Sequence, residues 1–217
     1  LFGNNSITGT FNIVTNSPNT QEFEGEVGYT IGQEDERRYN LMLTGPISET
    51  LSYRFFAGHR ELGGYQINGA AALEGADRKM GEVEKQAWRS KLLWQPSDDL
   101  DINWSFSGER GESNSALGAE FYTDRPVEDL RTAVFDIPVW PIWQELVPGL
   151  VVDRYDRRIA HNTPSENTLD TWATAMTANY SWNEHTLTSI TGYSEYRDKQ
   201  YYDADFSPAN FLVQDYD

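Results

Sequence analysis

The stretch Leu100-Asp-Ile-Asn-Trp-Ser-Phe-Ser-Gly-Glu109 changes between apolar and polar residues at almost every step. A period of two predicts a β-strand with one apolar face and one polar face. In a soluble sandwich the apolar face would pack inward on a second sheet, whereas in a membrane barrel it would face lipid. The side chains that share the apolar face are Leu100, Ile102, Trp104 and Phe106.

The same alternation recurs in six other segments, so the sequence predicts seven strands of about ten residues each. Phe56 breaks the pattern in the third strand, and in 186–198 the two faces are ambiguous because Leu187 and Ile190 differ in parity. Ten residues are enough for a tilted strand to cross a bilayer. The sequence contains no run of 18 apolar residues, so no transmembrane helix is predicted. The other six predicted strands lie within 23–31, 38–44, 51–58, 88–94, 172–182 and 186–198.

The connections between the predicted strands alternate in length. Short links rich in turn-forming residues stand on one side of the predicted sheet, and long loops stand on the other. This rhythm is typical of outer-membrane barrels, which have tight periplasmic turns and long external loops. No helix of convincing period is predicted. The short links are 45–50, 95–99 and 183–185, the long loops are 62–83 and 111–168, and 33–36 is a short link on the loop side.

The composition limits the function classes. The chain has 217 residues and a formal net charge of −17, which repels phosphate backbones and argues against a nucleic-acid partner. Hydrophobic residues make up 38% and aromatic residues 13%, a mixture that suits a structure with two interfaces better than a compact core. There is no Cys, so disulfides and thiol chemistry are excluded within these residues.

The first eighteen residues carry a resemblance to a known family. They read Leu1-Phe-Gly-Asn-Asn-Ser-Ile-Thr-Gly-Thr-Phe-Asn-Ile-Val-Thr-Asn-Ser-Pro18. This resembles the end of the plug domain in TonB-dependent outer-membrane receptors, where Leu-Tyr-Gly-x-Asn-x-x-Gly-Gly-x-Ile-Asn-Ile-Val-Thr-x-x-Pro is typical. Phe2, Thr8 and Phe11 depart from that pattern. The later stretch Thr186-Leu-Thr-Ser-Ile-Thr-Gly-Tyr193 is also similar to these receptors.

The resemblance implies a fold and a domain division. Residues 1–19 would be the C-terminal end of the plug domain, and residues 20–217 would be the N-terminal strands and loops of the barrel. The fold class is then all-β: an antiparallel transmembrane β-barrel segment, about seven strands of a plugged barrel of roughly 22, and the chain would be a segment of a longer protein. The polar face agrees with this, because Arg89 and Lys91 would each cost roughly 2–4 kcal/mol if they faced lipid.

The resemblance also implies a function. The protein would be a receptor and transporter, not an enzyme, in the outer membrane of a Gram-negative bacterium. Its partners would be outer-membrane lipid, a small-molecule ligand and the TonB energy-coupling protein, which would act through a plug region absent from these residues. The usual ligand is a ferric siderophore, with cobalamin, haem or oligosaccharides as other classes, and no cofactor is implied.

Two alternatives from other classes remain open at this point. One is a secreted carbohydrate-binding β-sandwich whose Trp and Tyr side chains line a sugar groove. The other is a β-rich glycoside hydrolase that uses a pair of carboxylates. Both alternatives leave the motif in 1–18 unexplained. Neither explains why the tight links fall on one side of the sheet.

The candidate binding residues lie in the longest loop and on the polar face. The tract 134–143 is apolar and rich in Pro, and its Phe135, Trp140 and Trp143 offer rigid aromatic surface either for loop packing or for a ligand. On the polar face, Arg60 is a candidate contact for an anionic ligand, together with Arg54, Arg89 and Lys91; the alternative is that these cations pair with carboxylates such as Glu24 and Glu26, or with the plug. His59, His161 and His185 are isolated and lack the spacing of a metal site, so no metal is predicted.

Overall fold

The computed structural model describes residues 14–73, 77–114, 138–149, 157–205, 207–210 and 212–216. Within these residues the chain forms a single sheet of nine strands and one short helix. The strands are β1 Glu24–Ile31, β2 Arg37–Pro46, β3 Leu51–Asn68, β4 Lys79–Ser97, β5 Leu100–Ser113, β6 Arg158–Ile159, β7 Glu166–Trp182, β8 His185–Asp203 and β9 Val213–Tyr216, and the helix α1 is Trp140–Leu146.

The order of strands in the sheet follows the order along the chain. Neighbours pair as β1-β2-β3-β4-β5-β7-β8-β9, each pair antiparallel, and the two-residue β6 lies off this path in a parallel pair with β3. The seven predicted strands are confirmed as β1, β2, β3, β4, β5, β7 and β8. The fold class is therefore confirmed as an antiparallel β-barrel segment, and no second sheet packs on it in the described residues, as a sandwich would require.

Two details of the prediction are wrong. The strands next to the long loops are much longer than ten residues, with 18 in β3 and 19 in both β4 and β8, so the predicted loops 62–83 and 111–168 begin too early and end too late. Beyond the apolar belt both faces carry polar residues, so the period of two disappears although the backbone pairing continues. The longest loop also contains α1, whose seven residues are too few to show a helical period.

The short links are tight turns. In the β1–β2 turn the amide of Gly32 donates to the carbonyl of Glu36 at 2.9 Å, and Glu34 and Asp35 both take φ 58°. Two consecutive residues with positive φ match the twist of an antiparallel hairpin. The β7–β8 turn has Asn183 at φ 52°, a conformation that Asn tolerates better than most residues.

The register separates the side chains into two faces. Because directly opposed residues of paired strands point to the same side, one row can be followed across the whole sheet. The outer row at mid-height is mainly apolar: Gly45, Tyr53, Leu92, Trp104, Met176 and Thr191. A neighbouring row on the other face is more polar: Glu26, Met42, Phe56, Arg89, Ser107, Ala173 and Ser194.

The residues before β1 identify the polar face as the inner wall. The backbone amide of Asn19 donates to Thr44 Oγ1 at 2.8 Å, and Lys91 Nζ donates to the carbonyl of Thr15 at 2.8 Å. Thr44 is fully buried, and its hydroxyl donates in turn to the carbonyl of Tyr53 at 2.8 Å. Residues 15–19, which we call the entering segment, therefore lie against the polar face. Phe56, which breaks the alternation, lies on that inner face.

The apolar face is uncovered by protein. Val27 is 81% exposed and Leu187 is 70% exposed, and this face carries aromatic rings at both ends of its apolar band. Along β7 the band runs from Trp172 to Trp182, about 33 Å at 3.3 Å per residue. A tilt of about 40° reduces that height to about 25 Å, the height of the apolar band in outer-membrane barrels. Among the described residues, no helix is long and apolar enough to cross a membrane.

The outer face becomes polar directly above the aromatic rings. In β4 the outward residue that precedes Trp88 is Gln86, in β5 the one that follows Gly108 is Arg110, and in β7 Asp170 precedes Trp172. This change marks the upper limit of the apolar band. The strands continue beyond it towards the long loops, which explains why they are longer than one bilayer crossing requires.

Candidate ligand-binding region at the loop end

The long links and the tight β1–β2 turn lie at one end of the sheet, which we call the loop end; the other tight turns lie at the opposite end, which we call the turn end. At the loop end β3 ends at Asn68 and β4 begins at Lys79, while β5 ends at Ser113 and β7 begins at Glu166. β8 ends there as well, at Asp203. The few buried apolar side chains of the described chain gather mainly at this end: Ala70, Met80, Val139, Trp143, Ile159, Ala160 and Ala209.

Asn68 joins the long β5–β7 loop to the end of β3. Its side chain is buried and makes four hydrogen bonds. The amide nitrogen donates to the carbonyls of Asp77 and His161, each at 2.8 Å. The amide oxygen accepts from the backbone amides of Ala70 and His161, each at 3.0 Å. One side chain therefore holds three loop segments together.

Two further contacts fix the same loop. Residues 158–159 add to β3 as the parallel strand β6, and Asp77 Oδ2 accepts a hydrogen bond from the backbone amide of Ser165 at 2.8 Å. Burial raises the pKa of the Asp77 carboxyl, and the bond from Ser165 offsets this in part. The loop is thus attached to the barrel wall just before β7 begins.

Asp203 and Asp205 hold the end of β8. Asp203 is buried, and its carboxylate accepts the backbone amides of Asn162 at 3.2 Å and Asp205 at 3.1 Å. Asp205 Oδ2 accepts the backbone amide of Leu212 at 2.7 Å. These carboxylates therefore order the backbone where the loops meet. Among the described residues, no group of three or more His, Asp or Glu side chains is placed to hold a metal ion.

The predicted aromatic tract is placed in α1. Trp143 is 4% exposed and packs with Val139 and Ala209 in a small loop core, with Trp140 and Ile142 at its edge. The rings of Trp140 and Trp143 lie 6.4 Å apart at 66°, an edge-to-face arrangement. Trp140 is only partly buried, so it is the more accessible of the two rings. Phe135 lies outside the described residues.

Arg60 lies on the inner wall of β3, beside the β1–β2 turn. Its Nε donates to Glu36 Oε1 at 2.9 Å, and Arg38 Nε donates to the same oxygen at 2.8 Å. The hydrogen bond from Arg38 is the main cause that lowers the pKa of the Glu36 carboxyl, and the hydrogen bond from Arg60 is the second. The structure thus brings Trp140 and Trp143 together at the loop end, whereas Arg60 belongs to a separate ion-paired group.

A cavity of about 660 Å³ lies on the inner wall below the loops. Its lining includes Arg54, Phe56, Arg89, Lys91 and Tyr196, from β3, β4 and β8. Phe56 was detectable in the sequence as the residue that breaks the alternation, and the three cations were recognised as inner-wall residues. Tyr196 carried no signal, because its strand was the one with ambiguous faces.

Comparison with solved structures decides the fold. The chain is similar to the ferric yersiniabactin uptake receptor FyuA from Yersinia pestis, with a TM-score of 0.66 over 94% of this chain at 16% sequence identity. The fold is that of a TonB-dependent receptor barrel. The chain spans 27% of the length of FyuA.

Two other solved structures are similar at lower scores. The siderophore receptor PirA from Pseudomonas aeruginosa gives a TM-score of 0.49 at 16% identity, over 86% of this chain and 24% of that one. The copper transporter OprC gives 0.38 at 14% identity, over 92% and 32%. Neither a family model nor a curated protein matches the sequence.

Proposed function

We propose that this chain forms part of the barrel wall of a TonB-dependent receptor, which takes up a scarce ligand across the outer membrane of a Gram-negative bacterium. One observation carries the proposal: the apolar face of the single sheet is uncovered, while its polar face holds the entering segment, in the fold of a known uptake receptor. A bilayer is the environment that makes such an apolar face favourable. The partner of this face is therefore outer-membrane lipid.

We propose a domain division as well. Residues 1–19 are the C-terminal end of a plug domain, and residues 20–217 are the first strands and loops of the barrel. The contacts of Thr15, Asn16 and Asn19 with the inner wall support this, because a plug lies inside its barrel. β1 then begins at Glu24, a few residues after the proposed boundary.

The ligand that we propose is a ferric siderophore. Support comes from FyuA, which is by its description a ferric yersiniabactin uptake receptor. Transport would be energised by the TonB protein acting on the plug, and the receptor itself would catalyse no covalent reaction. The ligand would arrive at the loop end, where the long links of the sheet are attached to the wall.

The binding residues that we propose at the loop end are Phe135, Trp140, Trp143 and Arg60. Support for Trp140 comes from its partial burial at the edge of the loop core, which leaves ring surface accessible. The buried Trp143 would act by holding α1, and with it Trp140, in position. Arg60 retains donors beyond its Nε, so it can bind an anionic group while it is paired with Glu36.

Topology on intact cells tests this function. The chain has no cysteine, so single cysteines introduced by Glu145→Cys in α1 and by Ser97→Cys at the turn end have no background within it. Both positions are exposed. We expect a membrane-impermeant maleimide to label the Glu145→Cys receptor on intact cells and the Ser97→Cys receptor only after the outer membrane is permeabilised. Labelling of Ser97→Cys alone on intact cells would reverse the orientation, and equal labelling of both would contradict the outer-membrane assignment.

A further inference from the structure

The outer face of the sheet contains a groove of about 230 Å³ between two tryptophan rings. By the strand register, all of its lining side chains point outward from β3, β4 and β5. At least two further strands pair on each side of these three, so neither a free sheet edge nor the inner wall forms part of the groove. The lining side chains are Leu51, Leu92, Trp94, Ile102 and Trp104.

The register places the two rings at diagonal positions on the face. In one row Trp94 lies between Leu51 and Ile102. In the adjacent row Trp104 lies beside Leu92. Diagonal neighbours of this kind are about 7–8 Å apart. The two rings are 46% and 42% exposed, whereas the three aliphatic side chains are half-buried, so the rings form the walls of the groove and the aliphatic side chains form its floor.

One of the two walls is already held in position. Trp104 Nε1 donates to Thr174 Oγ1 at 3.0 Å, and the centroids of the Trp104 and Phe106 rings are 4.4 Å apart. Thr174 and Phe106 stand opposite each other in the row on the loop side of Trp104, whereas the groove lies on its turn side. An occupant of the groove therefore loses little entropy in ordering this ring.

The groove lies in the half of the apolar band that is nearer the turn end. The row that contains Trp94 continues through Ile102 to Ala178, which is four residues before Trp182 at the end of the band. Four residues span about 13 Å along a strand, or about 10 Å of depth at a tilt of about 40°. The hydrocarbon of one leaflet is about 15 Å thick, so a lipid tail of the leaflet nearer the turn end reaches the groove.

The lining chemistry selects a hydrocarbon occupant. Of the five described side chains that line the groove, only the two tryptophans carry a polar atom, and that of Trp104 is bonded to Thr174. A headgroup or a sugar would lose its hydrogen bonds to water there without replacement. A second copy of the receptor would need a surface of about 20–30 residues on each side, which is far larger than this groove.

We propose that the groove binds one acyl chain of a phospholipid from the leaflet nearer the turn end. Lipid tails are as apolar as the lining side chains, so the gain over the surrounding lipid comes from packing. A chain on a flat part of the outer face contacts protein on one side, whereas a chain in the groove contacts the floor and two rings, and dispersion adds over these contacts. The proposal rests on the proposed function in surrounding the outer face with lipid, and it assigns one chain to one place.

Native mass spectrometry of the full-length receptor tests the proposal, because it counts the lipids that a folded membrane protein retains. Dipalmitoyl phosphatidylethanolamine would be added in steps to the receptor in detergent. Leu92→Trp fills the groove with a third ring, and Trp94→Leu removes one wall without adding bulk. We expect the wild-type receptor to retain one phospholipid more than either variant, and at least tenfold more lipid to be needed before either variant matches it.

Matched controls use the same substitutions outside the groove. Leu41→Trp and Trp182→Leu change outward side chains of β2 and β7 that do not line it, and both should retain the wild-type number of lipids. Dipalmitoyl phosphatidylglycerol should bind as well as the ethanolamine lipid, because the groove contacts the chain and not the headgroup. Heat-modifiable gel mobility shows that each variant is folded, and Trp94→Leu decides if Leu92→Trp is not.

An equal number of retained lipids in wild type and in folded Trp94→Leu would overturn the proposal. So would an equal loss in the control variants, or binding of only one of the two headgroups. A change in the fraction of dimer instead of in bound lipid would assign the groove to a second copy of the receptor, which also overturns it. None of these outcomes affects the topology measured with Glu145→Cys and Ser97→Cys, so failure of the lipid site is distinguishable from failure of the proposed function.

Discussion

Asn68 shows how much of the loop end depends on one side chain. Its amide satisfies two backbone carbonyls and two backbone N–H groups, and it is only 4% exposed. Each buried polar group left without a partner costs roughly 1–3 kcal/mol. Removing this amide would therefore leave two backbone carbonyls and two backbone N–H groups without their partner, in a region with few apolar contacts to compensate.

We predict that Asn68→Ala releases the β5–β7 loop while the barrel stays folded. The expected loss is at least about 2 kcal/mol of local stability, which corresponds to at least tenfold faster cleavage of the loop by a protease that attacks the opened state. Asn210→Ala removes the same amide at an exposed position near the end of β8 and should leave the cleavage rate unchanged. Equal cleavage rates for wild type and Asn68→Ala would contradict the role of this side chain.

No sequence pattern indicates this role of Asn68. Asn68 bonds to His161, 93 residues away along the chain, and such a contact leaves no local pattern. Arg89 and Lys91 are the opposite case. Their charge and their parity within β4 predicted that they face inward, because lipid excludes charge. Residues that are selected by the environment of a whole face are predictable, whereas a single long-range hydrogen-bond partner is not.

The helix α1 is the element that combines packing and exposure. It has seven residues, with Pro141 near its N-terminus and no side-chain cap, so its intrinsic helix stability is low. The contact of Trp143 with Val139 and Ala209 is what fixes it against the loop that follows β8. Trp140 stands on the same helix at the edge of that contact. The two rings should therefore respond differently to substitution.

We predict that Trp143→Ala loosens the loops, whereas Trp140→Ala affects ligand binding alone. Loss of a buried Trp typically costs about 3–5 kcal/mol, so protease cleavage of 138–149 should accelerate strongly in Trp143→Ala. In Trp140→Ala the cleavage rate should stay unchanged, while the affinity of the full-length protein for a ferric siderophore, the ligand that we propose, should fall about tenfold. Unchanged affinity in Trp140→Ala, with a normally folded barrel, would leave this ring as loop packing only.

At the same scale, the seven long strands were predictable but their lengths were not, and the short strands β6 and β9 were missed. Alternation located all seven long strands because the apolar band imposes a period of two on the outer face. Above Trp88 and Trp172 the outer residues become Gln86 and Asp170, so the period is lost while the hydrogen bonds continue. The helix α1 was missed for a related reason, since two turns are too short for a helical period to emerge from an apolar tract.

For the molecule as a whole, the two faces of one sheet meet different environments. The outer face presents large apolar side chains to its surroundings over a height of about 25 Å, which is the height of the apolar band in outer-membrane barrels. The inner face carries charges, a cavity and the entering segment. A soluble protein would have to cover the outer face with a second layer, and the described residues contain no such layer.

Neighbouring positions on β5 test this difference most directly. Trp104 stands opposite Met176, close to the middle of the apolar band, while Asn103 stands opposite Thr177 on the inner wall. The measurement is the free energy of unfolding of the full-length receptor in lipid vesicles by denaturant titration, for Trp104→Arg and for Asn103→Arg, with Trp104→Leu as the size control. The account predicts that Trp104→Arg costs roughly 2–4 kcal/mol more than Trp104→Leu, whereas Asn103→Arg costs less than about 1 kcal/mol. Equal losses from the two arginines would contradict a lipid-facing surface on this strand.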